Sequence, residues 1–314
     1  MRRYEKIITT ILTAFKIILF TGTVVFAVLF YLSGKAERNY QNAKASMNKG
    51  DWSSALSFIE KIPHYKDSTE LYSYIYPNKL YYDKYSTAEE AINNYSRIIF
   101  YIETEKDNLK KRTDAKYVDD LLELEKVLKF KITALNAKAQ DEAVKNIIKD
   151  SIILIKQGNF DKAIEKLQGI SDSGIYGPEK KQLLSFIELQ NAINTKDEKL
   201  INGIIGKLNP NYKGDLAEDI KSVVQNFVDM EKWNEIYAKA NGIAVTSSDD
   251  VQVQPQPQNS NITAGMKKEE VIGALGNPIS ENVISNKYGN FVDMVYNNDV
   301  HIYLENNIVI GVKG

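Results

Sequence analysis

Residues 45–62, ASMNKGDWSSALSFIEKI, recur without a gap as residues 153–170, ILIKQGNFDKAIEKLQGI. Gly50 matches Gly158, Trp52 matches Phe160 and Ala55 matches Ala163, while Leu56, Ile59 and Ile62 match Ile164, Leu167 and Ile170. Each position has a physical task in a helical hairpin. Glycine takes the left-handed conformation that stops one helix, Asp51 or Asn159 caps the next, and the small alanine lets two helices approach closely. The aromatic closes the open end. The passage therefore predicts two antiparallel helices joined by a tight turn, used twice.

Outward from these copies, residues 86–103, 118–137 with a continuation toward 157, 178–194, 198–208 and 216–240 read as further helices. Val118, Leu121, Leu122, Leu124, Val127, Leu128, Ile132 and Leu135 recur at steps of three and four, which gives one face to bury. The paired passages resemble the helix-turn-helix unit of tetratricopeptide-type repeats, whose motif sets glycine, an aromatic and alanine near the turn. No regular period of about 34 residues links the copies. The resemblance thus implies a divergent α-hairpin (TPR-like) solenoid or an irregular bundle over residues 35–243. Tyrosines crowd residues 72–101, and Tyr74, Tyr81, Tyr82 and Tyr85 form the candidate interaction patch. Two readings stand for them: a groove of amphipathic rings for a peptide or glycan, or packing between hairpins with the hydroxyls at the rim.

Before the first hairpin lies IITTILTAFKIILFTGTVVFAVLFYLSG, interrupted by the single charge Lys16. Residues 17–33 span roughly 25 Å as a helix, and residues 7–15 supply the rest of a ~30 Å hydrocarbon core. Lys16 then sits near the inner boundary with its ammonium reaching toward water. Arg2, Arg3, Lys6 and Lys16 outweigh Lys35 and Arg38 beside Glu37, so the positive-inside rule places the amino terminus in the cytoplasm and the bulk of the chain outside. A cleaved secretory signal is the competing reading, but YLSGKAER offers no clean A-x-A-like site. A buried core helix is the third, and it would normally carry a polar face.

At the other end, TSSDDVQVQPQPQNSN, residues 246–261, has no helical period and alternates proline with glutamine, the composition of an extended tether. Asp249 and Asp250 there read as solubilising charge. Asn94-Tyr95-Ser96 and Asn261-Ile262-Thr263 match the glycosylation triplet, a pattern common by chance.

After the tether, GMKKEEVIGALGNP predicts one short helix: Glu269 and Glu270 in its first turn, Val271, Ile272 and Leu275 along a stripe, and Gly276 with Pro278 stopping it. ENVIS, FVDMVYN, VHIYLE and IVIGVK then read as strands joined by turn residues. Val300, Ile302 and Leu304 alternate with His301 and Tyr303, as suits a sheet covered on one side.

Ile262, Gly265, Met266, Val271, Leu275, Gly276, Pro278, Tyr296, Tyr303, Leu304 and Ile308 carry a pattern that resembles the SmpA/OmlA (BamE-like) family. The resemblance implies a small α+β domain with a helix packed on an antiparallel sheet, serving protein interaction in cell-envelope assembly, and it implies no catalysis. Lys267 stands where the family often has a capping threonine, which points to a looser helix start. A domain of about fifty residues is marginal alone, so docking on the helical region or on a partner is expected.

Forty basic residues against forty-one acidic leave a net charge of −1, which provides no field for nucleic acid. There is no cysteine, excluding disulfides, thiolate metal sites and thiol nucleophiles. His64 and His301 fall in different regions, and neither a nucleophile elbow nor a phosphate-binding glycine loop is present.

The expectation is a mainly α chain: residues 1–34 a cytoplasmic tail and transmembrane anchor, 35–243 the helical domain, 244–261 the linker and 262–314 the α+β domain. Its expected function is that of an extracytoplasmic interaction scaffold in the cell membrane, touching lipid bilayer and envelope proteins or peptides, with no enzyme activity, cofactor, metal or nucleic-acid partner. The alternatives are a membrane-bound sensor whose outer domain binds a peptide or glycan, and an envelope hydrolase.

Overall fold

The computed structural model describes the backbone of residues 2–112, 115–243 and 262–314, and the side chains of these apart from residues 2–12, 14, 112, 115 and 116. The expected linker, residues 244–261, lies outside the described residues. The chain forms two compact units, Met1–Lys129 and Phe130–Gly314.

The first unit opens with α1 (Arg2–Asn48), a helix without proline that continues into α2 (Trp52–Ile59), α3 (Ser68–Tyr82) and α4 (Ala88–Arg112). α1 changes character along its length. Residues 15–35 are exposed on every face, whereas Tyr40, Ala43 and Met47, one stripe at helical spacing, are buried. The amino-terminal segment is long and apolar enough to cross a membrane. α1, α2, α3 and α4 pack in sequence, each against the next. α3 was not among the helices expected, because Pro77 inside it suppresses the helical reading. Its core side supports it nonetheless: Leu71, Tyr74 and Ile75 are buried, and the buried Asn78 amide donates to the Tyr74 carbonyl at 2.9 Å.

α5 (Ala115–Lys156) begins in the first unit and ends in the second, which adds α6 (Phe160–Gln168), α7 (Gly177–Thr195), α8 (Glu198–Ile205), α9 (Ala217–Val224) and α10 (Met230–Ala240). Ile152, Ile155, Ala163, Leu167, Leu183, Ile187, Ile204, Ile220 and Trp233 share its core. The helix expected over residues 216–240 is two helices. Asp229 accepts the Lys232 N–H at 2.8 Å and so starts α10 afresh, redirecting the chain until the buried Trp233 indole donates to the Leu208 carbonyl at 2.9 Å.

The two aligned passages make the same turn. Gly50 has φ 73° and Gly158 φ 74°. In the first turn the N–H groups of Gly50 and Asp51 donate to the carbonyls of Met47 and Ser46; in the second those of Gly158 and Asn159 donate to Ile155 and Leu154. This is the paired-bond closure of a glycine-ended helix. Capping differs. Asp51 accepts the Ser54 N–H at 3.1 Å, but Asn159 makes no such bond, correcting the expectation that both cap. Lys196, with φ 58°, and Asp197 repeat the turn without glycine, their N–H groups donating to Ile193 and Ala192.

The terminal module contains α11 (Lys268–Leu275), β1 (Ser280–Asn286), β2 (Gly289–Val295), β3 (His301–Glu305) and β4 (Ile308–Lys313), an antiparallel sheet in sequence order. Asn306 and Asn307 both have positive φ, 51° and 65°, the backbone of a tight primed hairpin turn. One face is closed by α11: Ile262, Val271, Val292, Met294, Ile302, Leu304, Val309 and Val312 form its core. Lys267 does not leave the helix start loose. Glu270 Oε2 accepts its N–H at 2.6 Å, the half of a capping box that a lysine permits.

The other face is covered too, contrary to the one-sided expectation. Tyr303 is buried against Phe130, Ala134 and Ala137 of α5, with the Phe130 and Tyr303 rings edge to face at 5.6 Å. Gly311 makes this approach possible, since a Cβ there would lie 2.2 Å from the Ala134 carbonyl oxygen. Lys131 pairs with Glu305 at 2.9 Å beside the contact.

Candidate functional site

Three surfaces of the molecule bear on function: the tyrosine-rich part of the first unit, the polar cluster around His301, and the outer edge of the terminal sheet.

The proposed patch of Tyr74, Tyr81, Tyr82 and Tyr85 does not form one exposed surface. Tyr74 and Tyr81 are buried. The Tyr74 hydroxyl donates to Asp120 at 2.9 Å, and its ring packs 4.5 Å from that of Tyr117. Burial and the Asp120 carboxylate together raise the Tyr74 hydroxyl well above the ordinary tyrosine range. Tyr85 is half-buried and donates to the Leu80 carbonyl. Burial pushes its hydroxyl up to about 12. Tyr82 alone of the four is exposed, stacked on Trp52 with the rings 6.3 Å apart. The rings of α3 are therefore chiefly the cement between hairpins, and Tyr82 with Trp52 is what remains accessible.

The hairpin residues divide the same way between local and packing duties. Gly50 and Gly158 sit in the turns, Ala55 and Ala163 are fully buried, and Trp52 and Phe160 are half-buried at the open ends. In the terminal module Gly265 (φ 96°) and Gly276 (φ 79°) flank α11, Val271 is buried beneath it, and Met266, Leu275 and Pro278 are half-buried. Met266 and Gly265 have a further role. The Gly265 N–H donates to the Val309 carbonyl at 2.9 Å and the Val309 N–H to that of Met266 at 2.8 Å, so this segment covers the outer edge of β4.

The opposite edge has no such cover. β1 pairs with β2 alone, and among the described residues no strand lies on its outer side. Ile279, at 66% exposure, and Val283, at 56%, stand there as open apolar side chains. The strand carries no proline and no lysine to discourage pairing. The alternation of residues 280–286 is weak and does not mark this edge; its position as the first strand of a meander is the available clue.

His301 is less exposed than its place opposite Ile302 and Leu304 implied. Its Nδ1 lies 2.9 Å from Asp293 and its Nε2 3.2 Å from Asp299, while Lys313 reaches Asp299 at 2.6 Å. The hydrogen bond from Lys313, and then that from His301, holds the Asp299 carboxyl below the usual carboxylate range. The imidazole also stacks on Tyr303. Each member has a polar partner within the cluster, which borders the contact with α5 through Tyr303. His64 is exposed in the α2–α3 loop. No group of three His, Asp or Glu placed to hold a metal ion occurs among the described residues.

Comparison with family models, with curated proteins and with solved structures returns no match.

Proposed function

We propose that this chain is a single-pass, membrane-anchored scaffold whose folded units lie outside the membrane and recruit envelope proteins or peptides. One observation carries the reading: residues 15–35 of α1 are exposed on every face, including large side chains such as Phe20, Phe26 and Phe30, each more than two-thirds exposed. So much apolar surface on a helix in water is costly at ~25 cal/mol per Å², and lipid removes the cost. The basic residues ahead of it favour a cytoplasmic amino terminus. The paired Schellman turns support a tetratricopeptide-like hairpin array. The helix-on-sheet module supports an SmpA/OmlA-like interaction domain, and the open edge of β1 is the place where an extended segment of a partner would add a strand. No catalytic step forms part of this function.

Protease added to intact cells tests it. Cleavage within residues 35–314, with the amino-terminal residues protected, is the expected result; protection of the whole chain while a known surface protein is degraded overturns it.

A second reading has its own support. α1 is unbroken from Arg2–Asn48, so a shift of the span passes without a hinge into the first hairpin, as a sensor requires. Replacing residues 1–34 with an unrelated anchor separates the two: a scaffold keeps its function, and a sensor loses it.

A further inference from the structure

The unbroken α1 also fixes a depth. We infer that the loop joining α2 and α3 lies in the phospholipid headgroup layer beside the span, with His64 and Lys66 facing headgroup phosphates. The inference rests on α1 being the membrane span. The apolar run ends at Ser33, and Glu37 follows one turn later, ~6 Å along the axis. Headgroups extend ~5–8 Å beyond the hydrocarbon on each side, which places Glu37 among them.

The loop is tied to that level by direct bonds. Glu37 Oε2 accepts the Lys66 ammonium at 2.6 Å and the Tyr65 hydroxyl as well. One turn further on, the Tyr40 hydroxyl donates to Asp67 at 2.6 Å, and Lys66 lies 4.9 Å from the Tyr40 ring centroid. Two successive turns of the anchor helix thus hold the loop at the same height. The opposite end of the hairpin is elsewhere: Lys49 is ~24 Å beyond Ser33 along the axis.

The side chains suit this depth. Pro63, His64 and Lys66 are exposed. The Lys66 ammonium, paired with Glu37 and lying 5.3 Å from the Tyr65 ring centroid, keeps its side chain 47% exposed, open to a phosphate oxygen on the solvent side. The half-buried Tyr65 is an amphipathic ring of the kind that settles at a membrane interface. The contact would set the rotation of the first unit about its anchor, because the loop lies to one side of the helix axis.

The chain has no cysteine, so single labels can be placed cleanly. The full chain is reconstituted into phospholipid nanodiscs as three variants, Val25→Cys, His64→Cys and Lys49→Cys, each carrying a small thiol-linked fluorophore. Nitroxides are then introduced on either the lipid headgroup or the acyl chain, and circular dichroism verifies equal helicity. The label at position 64 is expected to lose its emission several-fold with headgroup nitroxides, the label at 49 to lose little, and the label at 25 to be quenched by acyl-chain nitroxides. A Pro63→Cys variant should repeat the result at 64. If 25 is quenched but 63 and 64 behave like 49, the headgroup placement is wrong and the anchor stands. If 25 escapes quenching, the anchor is wrong and the placement goes with it.

Discussion

The two glycine turns, at Gly50 and at Gly158, are locally almost identical, yet the helices leading into them do different work. α1 enters its turn from a segment that is apolar all round, and its amphipathic stripe begins only at Tyr40. α5 enters its turn as a helix amphipathic throughout, with Phe130, Ala134 and Ala137 holding the terminal sheet. The comparison teaches that the motif decides where a helix stops and reverses, while the surface of the preceding helix decides what it touches. Eight or so residues suffice for the first decision. The second depends on surfaces far apart in sequence.

The largest expected effect lies on the α5 side. Tyr303→Ala should destabilise the docked module by about 3 kcal/mol, the scale for truncating a buried aromatic. Hydrogen exchange should show amides of β3 and β4 losing protection while α6–α8 keep theirs. Next comes Gly311→Ala, expected to cost about 2 kcal/mol because the new methyl meets the Ala134 carbonyl; chemical denaturation reads it. Equal protection of β4 in that variant would mean that the sheet and α5 can separate without loss.

The turns themselves should respond alike, Gly50→Ala and Gly158→Ala each losing about 1 kcal/mol, since alanine is strained at positive φ wherever space exists. Lys196→Gly should gain a comparable fraction, because there a side chain already bears that strain. The caps should differ: Asp51→Ala is expected to cost ~1 kcal/mol and Asn159→Ala only a few tenths, as only the aspartate accepts a helix N–H. Equal losses from the two cap variants would erase the distinction drawn between the hairpins.

Two half-buried tyrosines make the fold sensitive to alkali. Burial first, then the carboxylate partner, raises the Tyr176 hydroxyl beside Asp141 and the Tyr212 hydroxyl beside Glu179 above the usual tyrosine value. A raised folded-state value means that this stability is complete below about pH 10 and is lost as pH rises above it, since the unfolded chain ionises first. Tyr176→Phe should flatten the alkaline arm of a stability-versus-pH curve, measured by denaturant unfolding.

Much of the fold was legible. The glycine-aspartate and glycine-asparagine pairs announced the turns, and the alternation at residues 300–304 announced a strand. Four features stayed hidden for identifiable reasons. Pro77 spoke against α3, and only buried neighbours overrode it. The apolar period ran on through residues 225–229, so the local cap made by Asp229 went unread. Lys196 makes a left-handed turn that no glycine marked. Tyr303 carries a hydroxyl and alternates with apolar residues, a pattern that predicts an exposed ring, whereas Phe130 packs against it. Among the candidate site residues, Tyr82 kept the accessibility that an interaction patch needs, and Tyr74 and Tyr81 did not.

What the sequence alone determined was short-ranged or solvent-driven: the stops and starts of the hairpins, the pleat of the sheet, and a helix apolar enough for lipid. These follow from backbone sterics and from transfer of side chains out of water, which act within a few residues. The tertiary structure decided the rest. It buried the second face of the sheet, left β1 open while residues 265–268 covered β4, and sank the tyrosines of α3 into a core, because each outcome required two distant surfaces to meet and exclude water together.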